Sequence, residues 1–285
     1  MSLDSIRQTY LPDEGCVFVK GDLSQAESRI GYMYCNTERM VKWANMYPDE
    51  YDMHSDNAVD IFGKHILELS KGEFKGYRNM GKKVVHAAWR KMGGATMSDN
   101  ILKDSKGEVY MHPTRCQDLI NKYLQSKHEV NGIYFRRVEE EIYSKGFLIN
   151  SWGRRYDVRY IDIDDALLRK CYSFWMQSEC AEITNQMLFI PGTKYLIDNY
   201  NRPMNMQIHD EVVASVPAHG VYDYCCRMKE SVEVPIETPK GLGQTMIMPL
   251  EFKISDTLYG GIEFCRMPPQ QEFNEQISDY LGVNI

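Results

Sequence analysis

Two stretches of this sequence place acids where chemistry can use them. The first is Gln207-Ile208-His209-Asp210-Glu211-Val212-Val213. Met204, Met206 and Ile208 alternate on the way in and Val212, Val213 and Val216 follow, so the pattern predicts a tight β-hairpin with Asp210 and Glu211 at its tip. Successive strand side chains point to opposite faces, so these two carboxylates cannot do the same job. The second stretch runs from Val17 to Ile30. A strand is predicted to end at Asp22 and a helix to begin near Gln25, with Asp22 or Ser24 as its cap. An acid at the end of a buried strand suits a hard cation, because a carboxylate and a nearby carbonyl both offer oxygen. Asp22 and Asp210, if a sheet brings them together, can hold two divalent ions for an in-line displacement at phosphorus. Taken singly, the first stretch also fits a solvated turn and the second an ordinary strand-to-helix cap.

A third constellation is cationic. Arg78, Lys82, His86 and Arg90 recur every four residues in a predicted helix over Gly76–Arg90, which sets them along one side. Val84, Val85, Ala87, Ala88 and Trp89 make the other sides apolar. Cations in such a row repel one another unless an anion lies across them, and a triphosphate is one that arginine and lysine bind by charge-assisted hydrogen bonds. Lys82 can also protonate a departing pyrophosphate. A solvated basic face is the plainer alternative.

The elements that must position these groups follow from pattern. Helices are predicted from about 114 to 126, 129 to 145 and 169 to 186, and Ser98–Pro113 is predicted to be irregular with a turn at Lys106-Gly107. A strand near Phe147 ends in a turn bearing Arg154 and Arg155, and Pro249–Ile254 is a further strand. The 285 residues suffice for a large core, with 43% hydrophobic and 26% charged residues. The net charge of −7 argues mildly against a nucleic-acid binder, yet Lys75 to Lys91 holds cations without an acid. Eight cysteines without a Cys-x-x-Cys pair predict buried reduced thiols. No apolar run is long enough to span a bilayer and the start lacks a signal segment, so the expected location is cytosolic or host-cytosolic, with no membrane partner.

Asp22-Leu23-Ser24-Gln25-Ala26-Glu27-Ser28-Arg29 resembles the first palm motif of the family A DNA polymerases, the bacterial DNA polymerase I type, Asp-Tyr-Ser-Gln-Ile-Glu-Leu-Arg. Gln207 to Val213 resembles their last palm motif, Gln-Val-His-Asp-Glu-Leu-Val, in the same order and at wide separation. Asp52-Met53-His54-Ser55 with Phe62-Gly63, the Arg78 and Lys82 helix, and the Gly146 to Tyr156 hairpin resemble further segments. The resemblance implies an α+β fold: a palm with a small antiparallel sheet flanked by helices, and helical fingers, without thumb or exonuclease. It implies palm over 1–34 and 147–256, fingers over 35–146, and an extension over 257–285 that is expected to dock a partner.

It also implies roles. Asp22, Asp210 and the Leu23 carbonyl would bind two magnesium ions, with manganese as an alternative, and Glu211 would be a secondary acid. Arg78, Lys82, His86, His54, Gln25, Glu27 and Leu23 would line the nucleotide site, His54 touching phosphate, His86 stacking on the base and Glu27 crowding the ribose 2′ position. Arg154, Arg155, Arg169, Ser173, Gln177, Gln207 and His209 would contact DNA. The sequence departs from the family at His86, Ala87 and Arg90, where an aromatic, a glycine and a tyrosine stand, and at Ser173, where an asparagine does. The implied partners are primer-template DNA, deoxynucleoside triphosphates and a separate polypeptide supplying thumb or exonuclease, as in a phage-type split polymerase. An RNA polymerase or reverse transcriptase shares the two-carboxylate palm. A non-catalytic or partner-dependent subunit that binds primer-template DNA is the other alternative.

Overall fold

The computed structural model describes residues 3–282. The described strands are β1 (Cys16–Leu23), β2 (Phe147–Ile149), β3 (Arg155–Asp157), β4 (Met206–Ile208), β5 (Glu211–Pro217), β6 (Ile236–Glu237), β7 (Thr245–Met246), β8 (Leu250–Ser255) and β9 (Ile262–Phe264). The chain divides into two compact units. One comprises the residues up to Ala26, Glu179–Glu237 and those from Thr245 onward; the other comprises Glu27–Ser178 and Thr238–Gln244. Compactness thus divides the chain at other points than the expected palm and fingers boundaries.

The first unit is built on an antiparallel sheet in the order β4-β5-β1-β8-β9. Its strands alternate. Val17, Val19 and Leu23 of β1, Val212, Ala214 and Val216 of β5, and Leu250, Phe252 and Ile254 of β8 share one face by register and are all buried. The helix Val221–Val232 lies on this sheet and buries Tyr224, Cys225, Met228 and Val232. Its Lys229 donates to the carbonyls of Leu250 (2.6 Å) and Cys265 (2.8 Å), which ties helix to strand. The opposite face carries Lys20, Asp22, Glu211, Glu251 and Lys253.

The chain beyond β8 belongs to this core. The helix Gln270–Leu281 buries Phe273 and Ile277, and the Phe273 ring lies 4.7 Å from Phe264 and 5.3 Å from Tyr222. Phe273 and Ile277 are therefore spent on their own unit, while Tyr259 and Tyr280 stay exposed.

The second unit is mainly helical. The basic helix runs over Lys71–Trp89, starting a turn earlier than its charge pattern predicts, because Ser70 and Glu73 form a reciprocal capping box. It packs on the helices Met53–Phe62 and Pro113–Ser126. At Gly81 an added Cβ would stand 3.1 Å from the Ala58 Cβ, so glycine lets two helices approach closely. Trp89 closes the lower core and donates to the Tyr123 hydroxyl at 2.9 Å. The predicted helix over 129–145 opens with a π-helical turn, Val130–Phe135, before Arg136–Lys145. The expectation of irregular chain over Ser98–Pro113 is corrected: Gly94–Asp104 is a helix, and the turn follows it at Lys106 and Gly107. Paired glycines such as Gly93-Gly94 read as a helix end as readily as a start. A Cβ at Gly94 would meet the Pro113 carbonyl at 2.2 Å, so the glycine serves close packing, with Met97 and Ile101 buried behind it.

Truncating Phe273 tests whether the extension is part of the core. Phe273→Ala should cost about 3–5 kcal/mol of stability in urea denaturation, whereas an aromatic held only for a partner would cost almost nothing.

Candidate active site

The acids of the first unit meet at the ends of β1 and β5. Asp22 is paired in register with Glu211 on one side and with Glu251 on the other. The Leu23 N–H donates to the Asp210 carbonyl at 3.2 Å. That makes Leu23 and Asp210 a hydrogen-bonded pair, so Asp22 and Glu211 form the adjacent close pair, with Cα atoms about 4.5 Å apart and side chains on one face. His209 turns the hairpin with a left-handed φ of 56°. Asp210 sits between that turn and Glu211. In an antiparallel strand a residue's N–H and C=O point the same way, so the Leu23 carbonyl also faces the Asp210 side. The register thus sets Asp22 beside Glu211, with the Leu23 backbone bonded to Asp210 at the same strand end.

Burial pushes the Glu211 carboxyl up, and Asp210 adds to this, while Lys20, Arg7 and Lys253 pull it back. Lys20 is itself buried, which brings its ammonium down to about 8, and it donates to the carbonyls of Gly260 (2.5 Å) and Leu258 (3.3 Å). Among the described residues no three or more His, Cys, Asp or Glu side chains form a metal cage. Two aspartates and one carbonyl still fit magnesium, which prefers oxygen and keeps much of its coordination for water and substrate phosphate.

In the second unit the basic helix presents Arg78, Lys82, His86 and Arg90. Lys82 is exposed. Arg78 is gripped side-on by Asp52, with Nε to Oδ2 at 2.7 Å and Nη2 to Oδ1 at 3.1 Å. Asp52 also caps the helix Met53–Phe62, accepting from the His54 N–H at 3.0 Å and the Ser55 hydroxyl at 2.6 Å. His54 is 4% exposed and its Nδ1 has no hydrogen-bond partner. Burial, reinforced by the Lys82 and Arg78 charges, drives its imidazole down to about 3, so the ring is neutral at physiological pH. An unsatisfied buried nitrogen beside two cations suits an anionic ligand.

Farther along, His86 Nδ1 and Arg90 Nη2 each lie 3.6 Å from Glu27 Oε2 in the first turn of the helix Ala26–Cys35. Burial raises the Glu27 carboxyl, but His86, Arg90 and a hydrogen bond from Gln177 overcome this and hold it below the ordinary range. His86, expected to stack on a base, thus lies beside Glu27, the acid expected at the sugar. Gln25 is the half-buried turn residue before that helix, with φ 55°.

The residues expected on DNA lie on three elements. Arg169, Ser173 and Gln177 line a cleft of 740 Å³ with Arg90, Thr96 and Lys170. Arg155 stacks on Phe147 at 3.6 Å and pairs with Asp157 at 3.0 Å on the β2–β3 hairpin, while Arg154 is exposed at its turn. Gln207 and His209 are exposed on the β4–β5 hairpin. Three residues with a place in these sites were not singled out from sequence: Asp52, Lys20 and Glu251. Each acts through a partner far away in the chain, so no local spacing signals it.

Residues 2–248 match the sequence profile of DNA polymerase family A. The chain belongs to that family. It is 24% identical over 252 residues to the thermostable DNA polymerase I of Thermus filiformis, covering 84% of this chain and 28% of that protein. It is 24% identical over 235 residues to DNA polymerase I of Synechocystis, covering 74% of this chain and 22% of the relative. The chain therefore spans under a third of the length of these curated relatives. Among solved structures it resembles the POL domain of Pol1 from M. smegmatis in complex with DNA primer-template and dNTP, with a TM-score of 0.69 at 17% identity over 89% of this chain and 42% of that one. Among the described residues no helix is long and apolar enough to cross a membrane.

The neutral, buried His54 carries a sign-defined consequence. Its folded pKa lies below the unfolded value of 6.5, so the unfolded chain binds the extra proton and stability falls as pH drops below 6.5. Thermal melts should show this loss between pH 6.5 and 4.5, above the range where Glu27 and Asp52 protonate. His54→Gln should flatten that slope; an unchanged slope would mean that the imidazole is not buried in its neutral form.

Proposed function

We propose that this chain is the catalytic core of a template-directed DNA polymerase, which adds deoxynucleotides to a primer 3′ end. The observation that carries the proposal is the register that sets Asp22 beside Glu211 with Asp210 at the adjoining turn, in a chain that belongs to DNA polymerase family A.

Asp22, Asp210 and the Leu23 carbonyl would hold two divalent ions, magnesium by preference. When bound, such a pair activates the primer 3′ oxygen and neutralises charge on the triphosphate and the leaving pyrophosphate. Glu211 adds negative potential beside the ligands. Arg78 and Lys82 bind the triphosphate by charge-assisted hydrogen bonds, and the neutral His54 ring offers its N–H to a phosphate oxygen. Lys82 can deliver a proton to the departing pyrophosphate. Glu27, with Gln25 nearby in sequence, sits at the sugar, and its anchoring by His86 and Arg90 keeps it fixed and ionised. Arg169, Ser173, Gln177, Gln207 and His209 offer donors for the minor groove, whose acceptors are nearly alike for every base pair. Arg154 and Arg155 suit backbone phosphates. Thumb and exonuclease functions would come from sequence outside these 285 residues, on the same or a separate polypeptide.

The test is single-nucleotide primer extension with magnesium by the wild type and by Asp210→Ala. The variant should keep its circular-dichroism melt and lose incorporation by at least a thousandfold, on the order of the several kcal/mol that metal-held charge stabilisation supplies. Near-normal extension by Asp210→Ala would refute the ligand assignment.

A further inference from the structure

We propose that Asp52 is a positioning residue that holds the Arg78 guanidinium in place to receive the triphosphate of the incoming nucleotide; this rests on the phosphate-binding role just proposed for Arg78.

The Asp52 carboxylate has anchors besides Arg78. It accepts from the His54 N–H and the Ser55 hydroxyl at the start of the helix Met53–Phe62. That helix is pressed against the basic helix at Ala58 and Gly81, one turn beyond Arg78. Asp52 therefore fixes the guanidinium from a rigid base. The grip is side-on, through Nε and Nη2. A guanidinium has five N–H donors, so about three remain, including both on Nη1. Arg78 keeps a side-chain exposure of 33%, so those donors are accessible. Lys82 stands one turn along the same helix, and the unpartnered nitrogen of His54 lies in the same electrostatic neighbourhood.

The alternative role for an acid here is competition. A carboxylate on Arg78 could occupy the phosphate site and be expelled by the nucleotide. Geometry favours positioning, because Asp52 has two partners close in sequence, the His54 N–H and the Ser55 hydroxyl, that do not depend on Arg78 and hold it when phosphate arrives. A free arginine must give up its rotamer freedom on binding, and the clamp removes that loss beforehand.

The experiment measures binding of inorganic tripolyphosphate and of dATP to the full chain by isothermal titration calorimetry. It compares wild type, Asp52→Asn, Arg78→Ala and the double variant. Asparagine caps a helix about as well as aspartate, so Asp52→Asn should keep the fold, checked by its melting curve. We expect Asp52→Asn to weaken binding roughly ten- to thirtyfold, the rotamer entropy of one arginine expressed as affinity. The double variant should bind no worse than Arg78→Ala alone, a coupling that a merely structural role would not give. Tighter binding by Asp52→Asn would show competition and overturn the proposal. Unchanged binding by Asp52→Asn, with Arg78→Ala weakened, would overturn it while leaving Arg78 as a phosphate ligand. Unchanged binding by Arg78→Ala would overturn the phosphate role itself, and the proposal with it.

Discussion

The first unit depends on like charges held side by side. Asp22 faces Glu211 across β1 and β5, Asp210 adjoins the pair, and Glu251 stands on the far side of Asp22. Like charges on neighbouring strands repel, by up to roughly 4 kcal/mol for a pair of carboxylates about 4 Å apart at the effective dielectric of a protein surface. A sheet does not need such a row, and Lys20 and Lys253 compensate it only in part. The row persists because the opposite face of the same strands is apolar. Slipping the register by one residue would carry the acids into the core and the valines out of it. The hydrophobic alternation of β1, β5 and β8 is thus what forces the acids together.

The second unit solves the converse problem. Its basic helix carries cations on one side and packs its other sides against neighbouring helices. Two acids restrain the cations without cancelling them. Asp52 takes two donors of Arg78, and Glu27 lies near His86 and Arg90. Lys82 stays exposed and His54 stays neutral, so a polyanion would find donors whose geometry is already set. Where the resemblance to the family leads one to expect an aromatic and a tyrosine, this chain has His86 and Arg90, each 3.6 Å from Glu27.

Much of this was legible in the sequence, for identifiable reasons. The hairpin at Asp210 and the strand ending at Asp22 were readable because period-two alternation is strong there and a short turn leaves few alternatives. Arg78 and Lys82 were readable from four-residue spacing. Gly94–Asp104 was missed because paired glycines look like a helix end, and only the tertiary contact with Pro113 shows why they open one. The capping box at Ser70 extended the basic helix beyond its charge pattern. The extension after β8 gave no hint that Phe273 and Ile277 complete the core, since their partners Phe264 and Tyr222 come from other elements. Asp52 was visible as part of a motif, but its hold on Arg78 spans 26 residues and leaves no mark in local spacing.

The central claim is that the acid row binds divalent cations through Asp22 and Asp210. Titration with Mn2+, following loss of the free-ion electron paramagnetic resonance signal, tests this without requiring synthesis. The account predicts saturable binding by the wild type in the presence of dATP, and its loss in an Asp22→Asn, Asp210→Asn double variant that retains its melting temperature. Equal Mn2+ binding by the two proteins would contradict it.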